Sequence, residues 1–406
     1  MSLLPVADAL AKVVAGVSPL PVETVPLHAA RTRVLASGIT ALRTQPGFNA
    51  SAMDGYAVRG QDAQEGAVLE LIGESAAGHG YAGRVGENQA VRIFTGAPVP
   101  DGADTVVIQE QTRREGNQVL VEATAKPGQH IRARGLDFAE GKEALAPGTV
   151  IGPRDIALAA AMNHPRLPVH RRPKVAILAT GDELVLPGQA IGENQIVASN
   201  NFAIRALVEA EGGEVLDLGI ASDDFPALEA AIKRARAEKA DVLVTIGGAS
   251  VGDHDLIQTA LTREGMRLGF WKIAMRPGKP LLHGRLGAMH ILGLPGNPVS
   301  SVVCGVLFLV PLLRTLLGRS DAGPPRRKAV FARSWPANDI REDYIRARFL
   351  LDDTSDILKV EPLTLQDSSL VSVMQHADCL VIRPPFAPEA KAGETCEIID
   401  LRTAGY

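Results

Sequence analysis

Three short stretches could bring a main chain close to an anion. They are Thr180-Gly181-Asp182-Glu183, Gly247-Gly248-Ala249-Ser250-Val251-Gly252 and Gly293-Leu294-Pro295-Gly296-Asn297-Pro298. Glycine removes the side chain that would hold a ligand off, and successive N–H groups at a helix start can cradle phosphate oxygens. One such turn has a purely steric explanation. Three at the ends of strands in one sheet point to a phosphate site. Acids accompany them: Asp182 and Glu183, Asp223 and Asp224, Asp253 and Asp255. Carboxylates beside a phosphate cradle suit a hard cation such as Mg²⁺, which binds through oxygen, and Glu183 and Asp255 are the expected ligands. Helix capping is the competing account of Asp224 and Asp253.

Trp271-Lys272-Ile273-Ala274-Met275-Arg276-Pro277-Gly278-Lys279-Pro280 adds three cations. Read as a strand and its following turn, it puts Lys272 and Arg276 on one strand face and aims Lys279 at an oxyanion. Solvated surface charge is the ordinary alternative. Asp54, in Ser51-Ala52-Met53-Asp54-Gly55-Tyr56-Ala57, reads equally as a turn former. The nine histidines form no metal-ligand pair, and Gly60, Gly66, Gly73 and Gly78 lack the strand–glycine–helix context of a dinucleotide fingerprint. By themselves these residues describe a magnesium-assisted enzyme acting on a phosphate ester or anhydride.

The elements that must position them come from apolar periodicity. Residues 3–15, 26–36 and 155–162 have helical spacing, whereas 43–140 is rich in glycine and short alternating runs, as in a β domain inserted into a helical element. Pro165, Pro168 and Pro173 read as a linker. Strand and helix patterns alternate over 174–318, which predicts a parallel sheet covered on both faces, with ligands beyond its carboxyl edge. Strands return after Gly323-Pro324-Pro325. The expected architecture is α/β plus β. It has a helical region (1–42 with 141–168), an inserted β domain (43–140), a central α/β domain (171–322) and a C-terminal β-barrel-like domain (326–406).

Composition narrows the function classes. With 46% hydrophobic and 22% charged residues the 406-residue chain is globular, and a net charge of -4 gives no bulk drive toward nucleic acid or anionic membrane. Cys304, Cys379 and Cys396 are too scattered for a disulfide framework or zinc site, and the N-terminus lacks the pattern of a secretory signal. The apolar run 299–313, broken by Pro311, reads as a buried helix. The expectation is a cytoplasmic protein.

Taken in order, the Met-Asp-Gly stretch, Phe94-Thr95-Gly96-Ala97-Pro98-Val99-Pro100, Arg132-Ala133-Arg134-Gly135-Leu136-Asp137, Thr180-Gly181-Asp182-Glu183-Leu184, the 247–255 turn, Pro277-Gly278-Lys279-Pro280 and Leu294-Pro295-Gly296-Asn297-Pro298-Val299-Ser300 resemble the molybdopterin molybdenumtransferase family, which includes the gephyrin E domain. The resemblance spans the whole chain. It implies an elongated four-domain homodimer whose substrates are adenylylated molybdopterin and molybdate, with Mg²⁺ at the phosphoanhydride and AMP released. It further implies that Asp54, Thr95, Asp137, Glu183, Asp223 and Asp255 serve activity, with Thr95 among the substrate contacts. Gly247, Gly248, Ser250 and Gly252 would hold the pterin phosphate. Lys272, Arg276, Lys279, Pro295, Asn297, Pro298, Ser300, Arg346 and Ser368 would line the substrate and oxyanion region. Other enzymes of molybdenum cofactor biosynthesis would be its partners. Arg276 stands where lysine is frequent, and Asp367 where glycine is common. Two other classes compete: a molybdopterin adenylyltransferase, which usually consists of the α/β domain alone, and a non-catalytic dimeric scaffold, which would need binding modules absent from this sequence.

Overall fold

The computed structural model describes residues 3–247, 256–324, 326–350 and 357–402, so Gly248, Ser250, Gly252, Asp253 and Asp255 lie outside the described residues. Val6–Val14 is an amphipathic helix that buries Val6, Ala9 and Val13, with Asp8 in its first turn and Lys12 in its last, complementing the helix dipole. A second helix over 26–36 is not formed. Val22–Pro26 is a strand and Leu27–Ala29 a 3₁₀ turn. The reason is tertiary: Val34 and Leu35, inside that span, bridge to Val150 and Val169, and Val22–Pro26 pairs antiparallel with Arg166–His170, so the expected proline linker is itself half of a two-stranded ribbon. Local apolar spacing carries no information about such a partner. Pro153–Ala161 is a helix with proline in its first turn, and Asp155 Oδ2 accepts from Gly152 N at 2.8 Å.

The inserted β domain is a six-stranded sheet in the order Thr105–Ile108, Gly55–Val58, Gln89–Ile93, Val68–Ser75, Gln118–Val121, Thr112–Glu115. Gly55 runs so close to Thr105–Ile108 that a Cβ on it would stand 2.0 Å from Val107 O, which explains glycine directly after Asp54.

The central sheet has the order Glu214–Ala221, Lys174–Thr180, Val242–Ile246, Met289–Leu294, Leu282–Leu286, Arg267–Trp271. Its first four strands are parallel, and the last two join antiparallel at one edge. Helices Asn200–Ala210 and Pro298–Leu316 lie against one face, Phe225–Ala237 and Leu256–Arg263 against the other. By length and composition Pro298–Leu316 could cross a membrane, but 89% of its apolar window is buried inside the fold. Pro311 does not interrupt it. A π-helical turn over Gly305–Leu309 precedes the proline and accommodates a residue with no N–H.

Beyond it, Glu342–Leu350, Lys359–Pro362, Arg326–Phe331, Thr395–Asp400 and Cys379–Arg383 close into a barrel through pairing of the first with the last. Tyr344, Leu380, Ile382 and Ile399 of this barrel join the same hydrophobic core as Val244, Leu292 and Phe308 of the α/β domain. That shared core brings the C-terminal domain to the sheet's carboxyl edge.

Candidate active site

A cleft of about 970 Å³ opens beyond the carboxyl ends of Lys174–Thr180, Val242–Ile246 and Met289–Leu294. It gathers Glu183, Asp223, Gly247, Lys279, Pro295, Asn297, Pro298 and Ser300, all read from sequence as site residues. Gly247 has φ +92°, and a Cβ there would meet Thr180 O at 2.6 Å, so this turn excludes a side chain on both counts. Backbone bonds from Ile273 N and Leu281 N to Lys279 O, at 3.0 and 3.2 Å, hold the loop that carries Lys279. Ile196, Val197, Leu228 and Ile257 add apolar surface to the cleft, and Ile196 N donates to Glu183 O at 2.8 Å, which ties that surface to the acidic turn.

The Asp223 carboxyl is held above its ordinary value, first by burial and then by the charges of Asp182 and Glu183. Its backbone N–H donates to Asp182 Oδ1 at 3.1 Å. Asp224 differs: it accepts from Ser222 Oγ at 2.6 Å and Ala227 N at 2.8 Å, so helix capping accounts for it. Among the described residues no three acids, histidines or cysteines form a ready ligand cluster. The charges of Asp182 and Glu183 both act on Asp223, and oxygen donors of this kind suit a hard cation, although the described residues alone do not complete a ligand set.

The basic residues diverge from expectation. The strand ends at Trp271, and Lys272 takes φ +72° with its ammonium 3.9 Å above the Trp271 ring, so Lys272 and Arg276 do not share a strand face. Arg276 instead grips Asp343 through Nε at 3.0 Å and Nη2 at 2.6 Å, and also reaches Asn338 and Asp339. It lines a second cavity of about 440 Å³, together with Arg346, Arg383 and Gln366. Arg346 is 2% exposed; one Nη donates to Asp367 O at 3.3 Å, its Nε has no partner, and burial lowers its pKa. Neither Lys272, Arg276 nor Arg346 borders the main cleft. Ser368 does touch its rim, since its Oγ accepts from Asn297 Nδ2 at 2.8 Å and its carbonyl from Val299 N at 3.0 Å. Asp367 forms a turn in which Oδ1 accepts from Ser369 N and Oγ, at 2.8 and 2.6 Å, and Ser369 lines the cleft.

A third group lies in the inserted β domain. Asp54 Oδ1 accepts from Thr95 N at 2.7 Å and Thr95 Oγ1 at 2.8 Å, and these bonds, with help from Arg92, lower its pKa. Gly96 and Asp137 line a neighbouring cavity of about 310 Å³. Within one chain none of these residues borders the main cleft.

Sequence patterns did not single out Thr180 by itself, Asn200, Ser369, Asp343 or Arg383. Asn200 was within reach, because Ser199-Asn200-Asn201 opens a helix at the sheet edge; its Nδ2 donates to Gly296 O at 2.7 Å. Asp343 and Arg383 carried no local signal.

Residues 176–315, which hold the sheet and cleft, match the family model described as a probable molybdopterin binding domain, and this is the class that fold and site define. Residues 4–163 match the MoeA N-terminal region (domain I and II), and residues 328–401 the MoeA C-terminal region (domain IV). A molybdopterin molybdenumtransferase of Haemophilus influenzae is 35% identical over 384 residues, covering 94% of each chain. Molybdopterin molybdenumtransferase 2 of Mycobacterium tuberculosis is 36% identical over 389 residues, covering 93% of this chain and 95% of its own. The crystal structure of a molybdopterin biosynthesis MoeA protein from Pyrococcus horikoshii superposes with a TM-score of 0.84 at 30% identity, over 98% of this chain and 99% of that one. The chain belongs to the molybdopterin molybdenumtransferase family.

Proposed function

We propose that this protein inserts molybdate into adenylylated molybdopterin, splitting the phosphoanhydride and releasing AMP. One observation carries the reading: in a chain of this family, Gly247, Lys279, Glu183 and Asp223 surround a single cleft at the carboxyl edge of the sheet. The glycine turn offers main-chain N–H groups to phosphate, and Lys279 offers a cation to developing negative charge. Glu183 and Asp255 would hold Mg²⁺, with Asp223 beside them, and the cation would supply positive charge to stabilise the phosphoanhydride as it is split. The apolar side chains of Ile196 and Val197 would give a planar ring a surface to pack on. Arg346 and Ser368 receive the oxyanion, a guanidinium offering fixed donors to tetrahedral oxygens. Asp54, Thr95 and Asp137 act from the partner subunit of a homodimer, which accounts for their lying outside the cleft of their own chain. AMP release is measured with adenylylated molybdopterin plus molybdate, and with tungstate in parallel. Oxyanion-dependent AMP release supports the reading. AMP transfer from ATP to molybdopterin without oxyanion dependence would replace it with the adenylyltransferase class.

A further inference from the structure

Thr180 ends its strand inside the sheet, 3% exposed, and it borders the main cleft. Its Oγ1 is buried and makes no hydrogen bond among the described residues. Folded proteins seldom leave a buried hydroxyl unpaired, because the group loses water without gaining a replacement. Valine has the same shape, a stronger strand preference and no such cost, and this strand already uses Val175 among its apolar residues. The hydroxyl therefore asks for a reason. Its surroundings supply one: a Cβ placed on Gly247 would lie 3.3 Å from Thr180 Oγ1 and 2.6 Å from Thr180 O. The bare Cα of the first glycine of the anion-binding turn thus sits directly against this hydroxyl. Glu183 and Asp223 border the same cleft. A threonine hydroxyl can donate one hydrogen bond while accepting others, so it serves a phosphate oxygen as the main-chain N–H groups of a glycine turn do.

We propose that Thr180 is a ligand-contacting residue of the cleft, its hydroxyl donating to a phosphate oxygen of the nucleotide half of the substrate. The inference rests on the phosphate reading of the cleft given above. It assigns a donor from the strand itself, held by the pairing of the sheet.

AMP and adenosine are titrated calorimetrically against wild type, Thr180→Val and Thr180→Ser in the presence of Mg²⁺, and the Tm of each free protein is recorded. Thr180→Val should leave Tm equal or higher, raise the Kd for AMP at least about fivefold and leave adenosine binding unchanged. Thr180→Ser, which keeps the hydroxyl, should stay within about twofold of wild type. AMP affinity unchanged in Thr180→Val overturns the assignment, as does an equal loss for adenosine. Should Thr180→Val fail to fold, Thr180→Ala carries the same expectation for AMP against adenosine. Wild-type protein that binds neither probe removes the phosphate reading of the cleft, and this inference with it; binding that all variants share removes only the role of Thr180.

Discussion

Asn297 Nδ2 donates to Ser368 Oγ at 2.8 Å, joining a cleft turn of the α/β domain to a loop of the C-terminal barrel. A backbone bond from Val299 N to Ser368 O, at 3.0 Å, reinforces the join. The barrel is thereby held at the rim of the cleft. Asn297→Ala removes the side-chain half of this link, and a neutral hydrogen bond contributes about 1 kcal/mol. We expect a small fall in Tm and a several-fold rise in the KM for molybdate. An unchanged molybdate dependence would show that the link is structural only.

Arg276 grips Asp343 by a two-pronged contact, and we propose that it serves the oxyanion region by positioning the C-terminal strand. Arg276→Lys keeps the charge but loses the fork geometry. At a half-exposed site the expected cost is about 1 kcal/mol, read as a modest drop in Tm. Molybdate KM should rise in Arg276→Lys while kcat at saturation stays near wild type. A large loss of kcat with unaltered KM would argue for direct contact with the reacting atoms.

Arg346 and Arg348 share strand parity but not environment: Arg346 is buried beside the second cavity, while Arg348 is exposed and paired with Glu361 at 2.6 Å. Loss of a charge-assisted contact costs roughly 1.5–3 kcal/mol, so Arg346→Ala should weaken molybdate use about tenfold or more. Arg346→Lys should recover part of it, and Arg348→Ala should have little effect. Molybdate titration of AMP release decides between them. Equal behaviour of the two alanine variants would remove Arg346 from the oxyanion site.

Asp223 carries a raised pKa, so its ionised form opposes folding. Stability is lost as pH rises through the folded-state pKa, and that loss persists at neutral pH. Asp223→Asn should therefore raise Tm at pH 7, and the gain should fade as pH drops below about 4, where the free carboxyl is itself protonated. Activity should move the opposite way, falling about tenfold or more. A Tm at pH 7 below that of wild type would contradict the charge repulsion described for Asp182, Glu183 and Asp223.

Asp54 and Glu183 are placed on separate domains of one chain, and the proposed homodimer unites them across the subunit boundary. Chains carrying Asp54→Ala are inactive on this view, as are chains carrying Glu183→Ala. Mixing them generates dimers with one intact composite site, so heterodimers should recover up to about half of wild-type AMP release. No recovery, with subunit exchange verified by mass, would place Asp54 outside the reaction.

Much of this was legible in the chain itself. Val242-Leu243-Val244-Thr245-Ile246 could be read to the residue, and the helix Leu256–Arg263 to its last residue, because buried strands and amphipathic helices print their periods locally. Glycine turns with flanking acids announced the cleft for the same reason: each turn and the acid beside it are neighbours in sequence. The cations were another matter. Lys272 turns onto Trp271, Arg276 finds Asp343 some 67 residues away, and Arg346 is buried where Arg348 is not. Residues 26–36 had helical spacing, yet Val34 and Leu35 are extended because Val150 and Val169 came alongside. Local pattern determines which element a segment prefers. Where a long charged side chain finds its partner, and which strand completes which ribbon, depends on contacts that exist only once distant segments have packed.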